Sequence, residues 1–297
     1  MFTDSEKIFT FIPLVYQNTD KMKRLRYIGT GLLLMTGLFT GCEKPNENND
    51  TTTKNYTETA FGMNLEMVYV EGGTFKMGGT EDQGDEVQDN ELPVRDVRLD
   101  AFYIGRFVIT QDQWERVMGT DVREQWAKAE LNLGISEEGP DFPMYYISWQ
   151  EATAFCEKLS EASGKKYALP TEAQWEYAAR GGRKDVPGRF SGSDNLLEVA
   201  WSYEDTVRRL QKVGLKKPNE LGLYDMSGNV YEYCSDNYDF YNPEDTDNPT
   251  GAPASPYRVT RGGSYIDKPL RCRVAYRGTP TPTFSATNIG FRVVMIP

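Results

Sequence analysis

Hydrophobic and polar positions divide the chain into stretches of different texture. Residues 1–20 show no structural period, and a basic cluster of Lys21, Lys23, Arg24 and Arg26 follows. An apolar run then extends from Tyr27 to Phe39. It is shorter than the roughly 20 apolar residues that span a bilayer. A basic flank, a short apolar core and small residues before Cys42 form the layout of a secretory signal. From Glu43 to Ala60 the chain is dominated by Asn, Thr, Glu and Lys. So little apolar surface cannot offset the entropy of ordering, and a flexible tether is expected over 42–60. Residues 61–297 are long enough for one large core.

Within 61–297 three helices are marked by capping boxes: Thr110 with Gln113, Ser148 with Glu151, and Thr171 with Gln174. In each, a side-chain oxygen and the third helical residue satisfy orphan amides reciprocally. The pattern predicts helices over Gln111–Met118, Trp149–Ser163 and Glu172–Arg180. The second places Ala152, Phe155, Cys156 and Leu159 on one face and stops at Gly164. Short strands are predicted at Glu66–Val70, Thr74–Met77, Val97–Ile104, Arg258–Arg261, Arg273–Tyr276 and Phe291–Met295. Long Gly-, Pro- and Asp-rich loops join them, and no repeat is present. The result is a compact α+β domain with much irregular backbone, of the kind that often uses a metal or a disulfide to pin its loops.

Composition narrows the chemistry. The chain has no His at all, so Ser-His-Asp and Cys-His catalysis and His-ligated zinc or iron are excluded on it. Its net charge is −11; residues 1–41 hold five of the Lys/Arg and three of the Asp/Glu, so residues 42–297 carry −13. A chain this acidic is a poor partner for nucleic acid.

Phe39-Thr40-Gly41-Cys42 resembles the lipobox of bacterial lipoproteins, with Phe39 where Leu is usual. The resemblance implies lipid on Cys42, an N-terminal extension and signal peptide over 1–41, and a chain lipid-anchored in the bacterial cell envelope, at the outer membrane, with the face left open. More than one acyl chain makes such an anchor stable. An uncleaved helical anchor is the alternative. Met22, directly before the basic cluster, is the expected translation start.

Further along, Glu71-Gly72-Gly73-Thr74-Phe75-Lys76-Met77-Gly78, Leu169-Pro170-Thr171-Glu172-Ala173-Gln174-Trp175-Glu176-Tyr177-Ala178-Ala179-Arg180-Gly181-Gly182, Gly222-Leu223-Tyr224-Asp225-Met226-Ser227-Gly228-Asn229-Val230-Tyr231-Glu232, Arg261-Gly262-Gly263-Ser264-Tyr265 and Asn288-Ile289-Gly290-Phe291-Arg292 follow one another. In this order they resemble the sulfatase-modifying-factor family, whose founding activity is the formylglycine-generating enzyme. The resemblance covers nearly all of 61–297. It implies the formylglycine-generating-enzyme fold, a variant of the C-type-lectin-like fold.

That enzyme oxidises a substrate Cys with oxygen, and the resemblance implies Cu(I) held by two thiolates five residues apart, after the Gly-Gly-Ser-aromatic motif. Soft thiolates suit a soft metal. Here Asp267 stands where the first thiol belongs and Cys272 lines up with a non-catalytic position, so copper is not expected. Bacterial relatives that look non-catalytic carry Cys at the positions of Cys234 and Cys272. A disulfide between them is therefore expected in an oxidising compartment, contributing roughly 3–4 kcal/mol; two buried free thiols are the alternative. Cys156 resembles a disulfide Cys whose partner position holds Val293, so it is expected to pack as a small hydrophobe.

The resemblance also implies a structural calcium site: the side chains of Asp225 and Glu232 with the carbonyls of Gly228 and Val230, an all-oxygen set suited to a hard cation. A second calcium site of the enzyme is expected to be lost, because Val199-Ala200-Trp201 occupies its place. Arg95 replaces a common His and Val108 a common Glu. Arg261, Arg273, Arg277 and Arg292 flank the site in sequence, as an anion- or peptide-binding groove or as structural ion pairs.

Three functions follow as expectations. One is a non-catalytic binding or structural module of the envelope, with protein, peptide or glycan partners. Another is a divergent protein-modifying oxidase of the sulfatase-maturation type. The third is a lectin-like glycan or peptide receptor using the loops around Asp236–Pro256, with Tyr238, Phe240, Tyr241 and Tyr257 as stacking or packing groups.

Overall fold

The computed structural model describes residues 54–129, 133–184, 186–205 and 207–297. Cys42 and most of the expected tether lie outside them. The chain enters through β1 (Tyr56–Glu58), antiparallel to β2 (Leu65–Val70). β3 (Gly73–Met77) and β4 (Arg95–Leu99) pair as a separate two-stranded sheet. β5 (Phe102–Gly105) returns to β2. There follow α1 (Gln111–Met118), α2 (Val122–Lys128), α3 (Trp149–Ser163), β6 (Lys166–Ala168), α4 (Glu172–Ala179) and α5 (Leu196–Val199). The last third is mostly loop around β7 (Tyr231–Asn237), β8 (Arg258–Arg261), β9 (Ile289–Gly290) and β10 (Val294–Ile296).

The central sheet has five strands in the order β1-β2-β5-β10-β6, every pairing antiparallel. Successive strand residues face opposite sides. Leu65 and Met67 of β2 accordingly join the core that contains α1 and α3, whereas Val68 and Val70 join the core that contains α4. With both faces covered, β2 reads as a nearly continuous apolar run. In the first core Trp114 of α1 stacks on Phe155 of α3 at 5.9 Å.

All three capping boxes form as expected, and Asp121 with Glu124 adds a fourth at α2. Gly119 and Gly164 end α1 and α3 in the left-handed conformation, which costs glycine nothing sterically. The third helix closes at Ala179, with Arg180 as its C-cap.

Several expectations are corrected. The folded unit begins before Phe61: β1 pairs with β2, the Tyr56 hydroxyl meets that of Tyr167 at 2.8 Å, and Glu58 accepts from Lys165 and Tyr167. A polar segment is ordered there by backbone pairing to a sheet edge, which composition does not register. Val97–Ile104 is two strands, because β4 belongs to the small sheet and β5 to the large one. Arg273–Tyr276 is no strand. The buried guanidinium of Arg261 takes the carbonyls of Val274 and Tyr276, so they are spent on a side chain rather than on a ladder. The last strand is shifted to Val294–Ile296, because the Phe291 carbonyl is used by the amide of Ile109. β7 runs through the acidic and polar Tyr231–Asn237, where alternation is absent.

Candidate functional site

The centre of the domain is charged. α4 buries Glu172 and Glu176 on one face against the small sheet and β8. Arg277 grips Glu172 in bidentate fashion at 2.6 and 2.7 Å. Arg261 approaches Glu172 at 3.1 Å and pairs with Glu176, which also receives Arg180 at 2.9 Å. Burial alone would raise the carboxyl of Glu172; Arg277 and Arg261 outweigh it and hold the group below its ordinary range. Burial works against the guanidinium charges of Arg261 and Arg277 too, yet the facing carboxylates keep both above the usual value. Elsewhere Arg273 holds Glu91 at 2.8 and 2.6 Å, and Arg292 holds Glu232 at 2.6 and 2.7 Å. Each of the four arginines considered for an anion groove is buried and paired with a carboxylate, so the structure decides for ion pairing.

The segment after Arg261-Gly262-Gly263-Ser264-Tyr265 carries no pair of thiols. Asp267 is buried; its carboxylate accepts from the Ser264 hydroxyl and from Arg271 at 3.1 Å, and Ser264 accepts from Asn288 at 3.1 Å. Cys272 packs in a small apolar cluster with Phe190, Leu196, Val199 and Ala200. Burial, helped by the charge of Asp267, pushes its thiol up, away from the thiolate that a copper ion needs. One protonated thiol beside a capped carboxylate does not fit a Cu(I) site.

The expected Cys234–Cys272 disulfide is also corrected. Cys156, Cys234 and Cys272 are all free and buried. Cys234 lies in the core cluster around α4 with Trp175 and Val259, and Cys272 in the separate one beside α5. Cys156 packs on the apolar face of α3, as expected.

The loop Asp225–Glu232 brings its two carboxylates into different roles. Asp225 is buried at φ 57°, accepts from the Gly214 amide at 2.8 Å through Oδ2, and leaves Oδ1 buried without a hydrogen-bond partner. Burial, with a smaller push from Glu232, raises its carboxyl to about 6. That is a carboxylate short of positive charge and fits a hard cation. Glu232 is supplied already, by Arg292 and by the Trp175 indole at 2.8 Å. It would have to share its oxygens with any ion. Gly228 has φ 78°, and a Cβ there would lie 2.3 Å from the Trp201 carbonyl, so the loop can close on Trp201 only with glycine.

A cavity of about 180 Å³ opens between β4, the start of α4 and the loop after β7, lined among others by Arg95, Asp236, Phe240, Tyr241, Pro249 and Gly251. Sequence reasoning singled out these loops but not Arg95 as their partner. The guanidinium of Arg95 lies 3.9 Å from the centre of the Tyr241 ring, and Arg277 lies 4.1 Å from it. Tyr241 is therefore a buried packing group, while Phe240 and Tyr257 are exposed.

The family model described as the sulfatase-modifying factor enzyme 1-like domain matches residues 52–296. The chain belongs to this family. It is 32% identical to the formylglycine-generating enzyme of Thermomonospora curvata, over 78% of this chain and 93% of that one. It is 27% identical to "Chaperone protein LppX" of Paenibacillus barcinonensis, over 77% of this chain and 89% of that one. The solved structure of PvdO from Pseudomonas aeruginosa superposes with a TM-score of 0.72 at 25% identity, covering 82% of this chain and 98% of that one. The fold is thus that of the formylglycine-generating enzymes, as the motifs imply. The matched region begins at residue 52, in agreement with the early start of the folded unit at β1.

Proposed function

We propose that this member of the sulfatase-modifying factor family is a lipid-anchored protein of the bacterial cell envelope whose domain is a binding or structural module, not a copper oxidase. The observation that carries the reading is the pair Asp267 and Cys272. A carboxylate capped by Ser264 and Arg271 stands where the resemblance puts the first thiol, and the one thiol nearby, Cys272, is buried and held protonated. Similarity to a protein named as a chaperone is in keeping with a binding role for the fold. The anchor is read from the basic cluster, the apolar run and Cys42; among the described residues no helix is long and apolar enough to cross a membrane. Calcium belongs to this reading as a structural ion, held by Asp225 and the carbonyls of Gly228 and Val230 with Glu232 shared.

The test is direct. The purified full chain in detergent is loaded with Cu(I) and incubated in air with a Cys-containing peptide, and the peptide is weighed by mass spectrometry. No aldehyde is expected. Aldehyde formation that disappears in Cys272→Ser would establish a divergent oxidase and overturn the proposal.

A further inference from the structure

We propose that the cavity between Arg95 and Asp236 binds a carboxylate-bearing sugar, a uronic acid residue, with Arg95 taking the carboxylate and Asp236 a ring hydroxyl. The inference deepens the binding-module reading and rests on it.

Arg95 is built differently from the buried arginines around it. Its guanidinium lies over the Tyr241 ring. Its Nε reaches only the Asp245 carbonyl at 3.4 Å, and Nη2 only the Met77 sulfur at 3.6 Å, a weak acceptor. Nη1 is buried with no hydrogen-bond partner. A buried donor left unmade is costly, and a guanidinium fork is matched best by a carboxylate.

Asp236 is 3% exposed. Its Oδ2 accepts from the Glu172 amide at 2.9 Å and the Ser235 hydroxyl at 3.0 Å, which leaves Oδ1 for a ligand. Burial first, and Glu172 second, raise the carboxyl to about 7. Near neutral pH it can therefore both donate to and accept from a hydroxyl. The wall opposite depends on Gly251. At its φ of 81° a Cβ would stand 2.6 Å from the Cβ of Asp236, so glycine alone lets the loop close over the carboxylate.

The rest of the lining selects the ligand. Asn237 keeps only its carboxamide oxygen and Asn242 only its carboxamide nitrogen, the other ends being spent on the Ala252 carbonyl and the Glu244 amide, and Phe240, 62% exposed, offers an aromatic face to the apolar side of a ring. Asp239 and Asp245 disfavour a polyanion such as a phosphorylated sugar. A volume of about 180 Å³ falls below the roughly 300 Å³ at which drug-sized sites begin, so the occupant is a single ring.

The experiment is calorimetric titration of the full chain in detergent with D-glucuronate and D-galacturonate at millimolar concentrations. Glucose, galactose and acetyl-Ala-Ala with a free C-terminus serve as comparisons. Saturable one-site binding of a uronate is expected, at least about tenfold tighter than the neutral hexose. Arg95→Gln should weaken it by about tenfold or more with Arg95→Lys intermediate, and Phe240→Ala, at an exposed rim position, by about threefold. Circular dichroism of each variant confirms folding. Absence of uronate binding overturns the inference, as does binding indifferent to both Arg95→Gln and Phe240→Ala. Peptide binding where uronates fail overturns the sugar assignment and leaves the binding-module reading standing. That reading falls separately, on aldehyde formation that Cys272→Ser abolishes in the copper assay.

Discussion

Glu232 and Arg292, 60 residues apart, meet as a bidentate pair at 2.6 and 2.7 Å with neither side chain exposed. Arg292 also donates to the carbonyls of Gly105 and Tyr224. One guanidinium thereby ties β7 to the end of β5 and to the loop that leads into the Asp225–Glu232 motif.

Removing one partner of such a pair strands a buried charge. Arg292→Gln is expected to lower unfolding free energy by about 3–5 kcal/mol. Urea denaturation monitored by tryptophan fluorescence measures it. A loss under about 1 kcal/mol would show that the pair is not a structural tie.

Asp236 makes stability depend on pH. Its carboxyl is raised to about 7 in the folded protein, against about 3.9 in an unfolded chain. Between these values the folded state binds the proton more tightly, so stability falls as pH rises through the window and the penalty is complete above pH 7. Asp236→Asn should be neutral at pH 4 and stabilising at pH 8, by up to roughly 4 kcal/mol. Denaturation curves at the two pH values decide it; equal effects at both would refute the sign.

The thiols of Cys156, Cys234 and Cys272 are free and buried. Ellman's reagent should leave them untouched in the native protein and label all three after unfolding without reductant. A melting temperature that drops on adding dithiothreitol would instead establish a disulfide.

Calcium is expected to raise the melting temperature of the wild type, and EDTA to lower it. At a hundredfold excess over Kd the gain is about 2.7 kcal/mol. Asp225→Asn, which keeps the shape and removes the charge, should abolish the difference. A wild type indifferent to both additions would remove calcium from the proposal.

The proposed anchor predicts a chemical product. Mass spectrometry of the N-terminal peptide should find acylated Cys42, and Cys42→Ser should release the protein from the membrane fraction. Retention of that variant in the membrane would favour an uncleaved helical anchor.

The sequence by itself determined the local grammar and the family. Capping boxes fixed the three main helix starts, because N-caps are satisfied within four residues of chain. The ordered motifs fixed the fold, and the lack of a thiol pair after Gly262-Gly263-Ser264-Tyr265 was legible from the sequence alone. Tertiary structure decided what depends on distant partners. It turned the arginines of the would-be groove into buried pairs, left Cys234 and Cys272 apart in different cores, and drew Tyr56–Glu58 into the sheet. It also set Arg95 on Tyr241, across a cavity from Asp236. Charge in a sequence carries no record of burial or of its partner, and those two quantities decide whether a guanidinium is a structural tie or a ligand site.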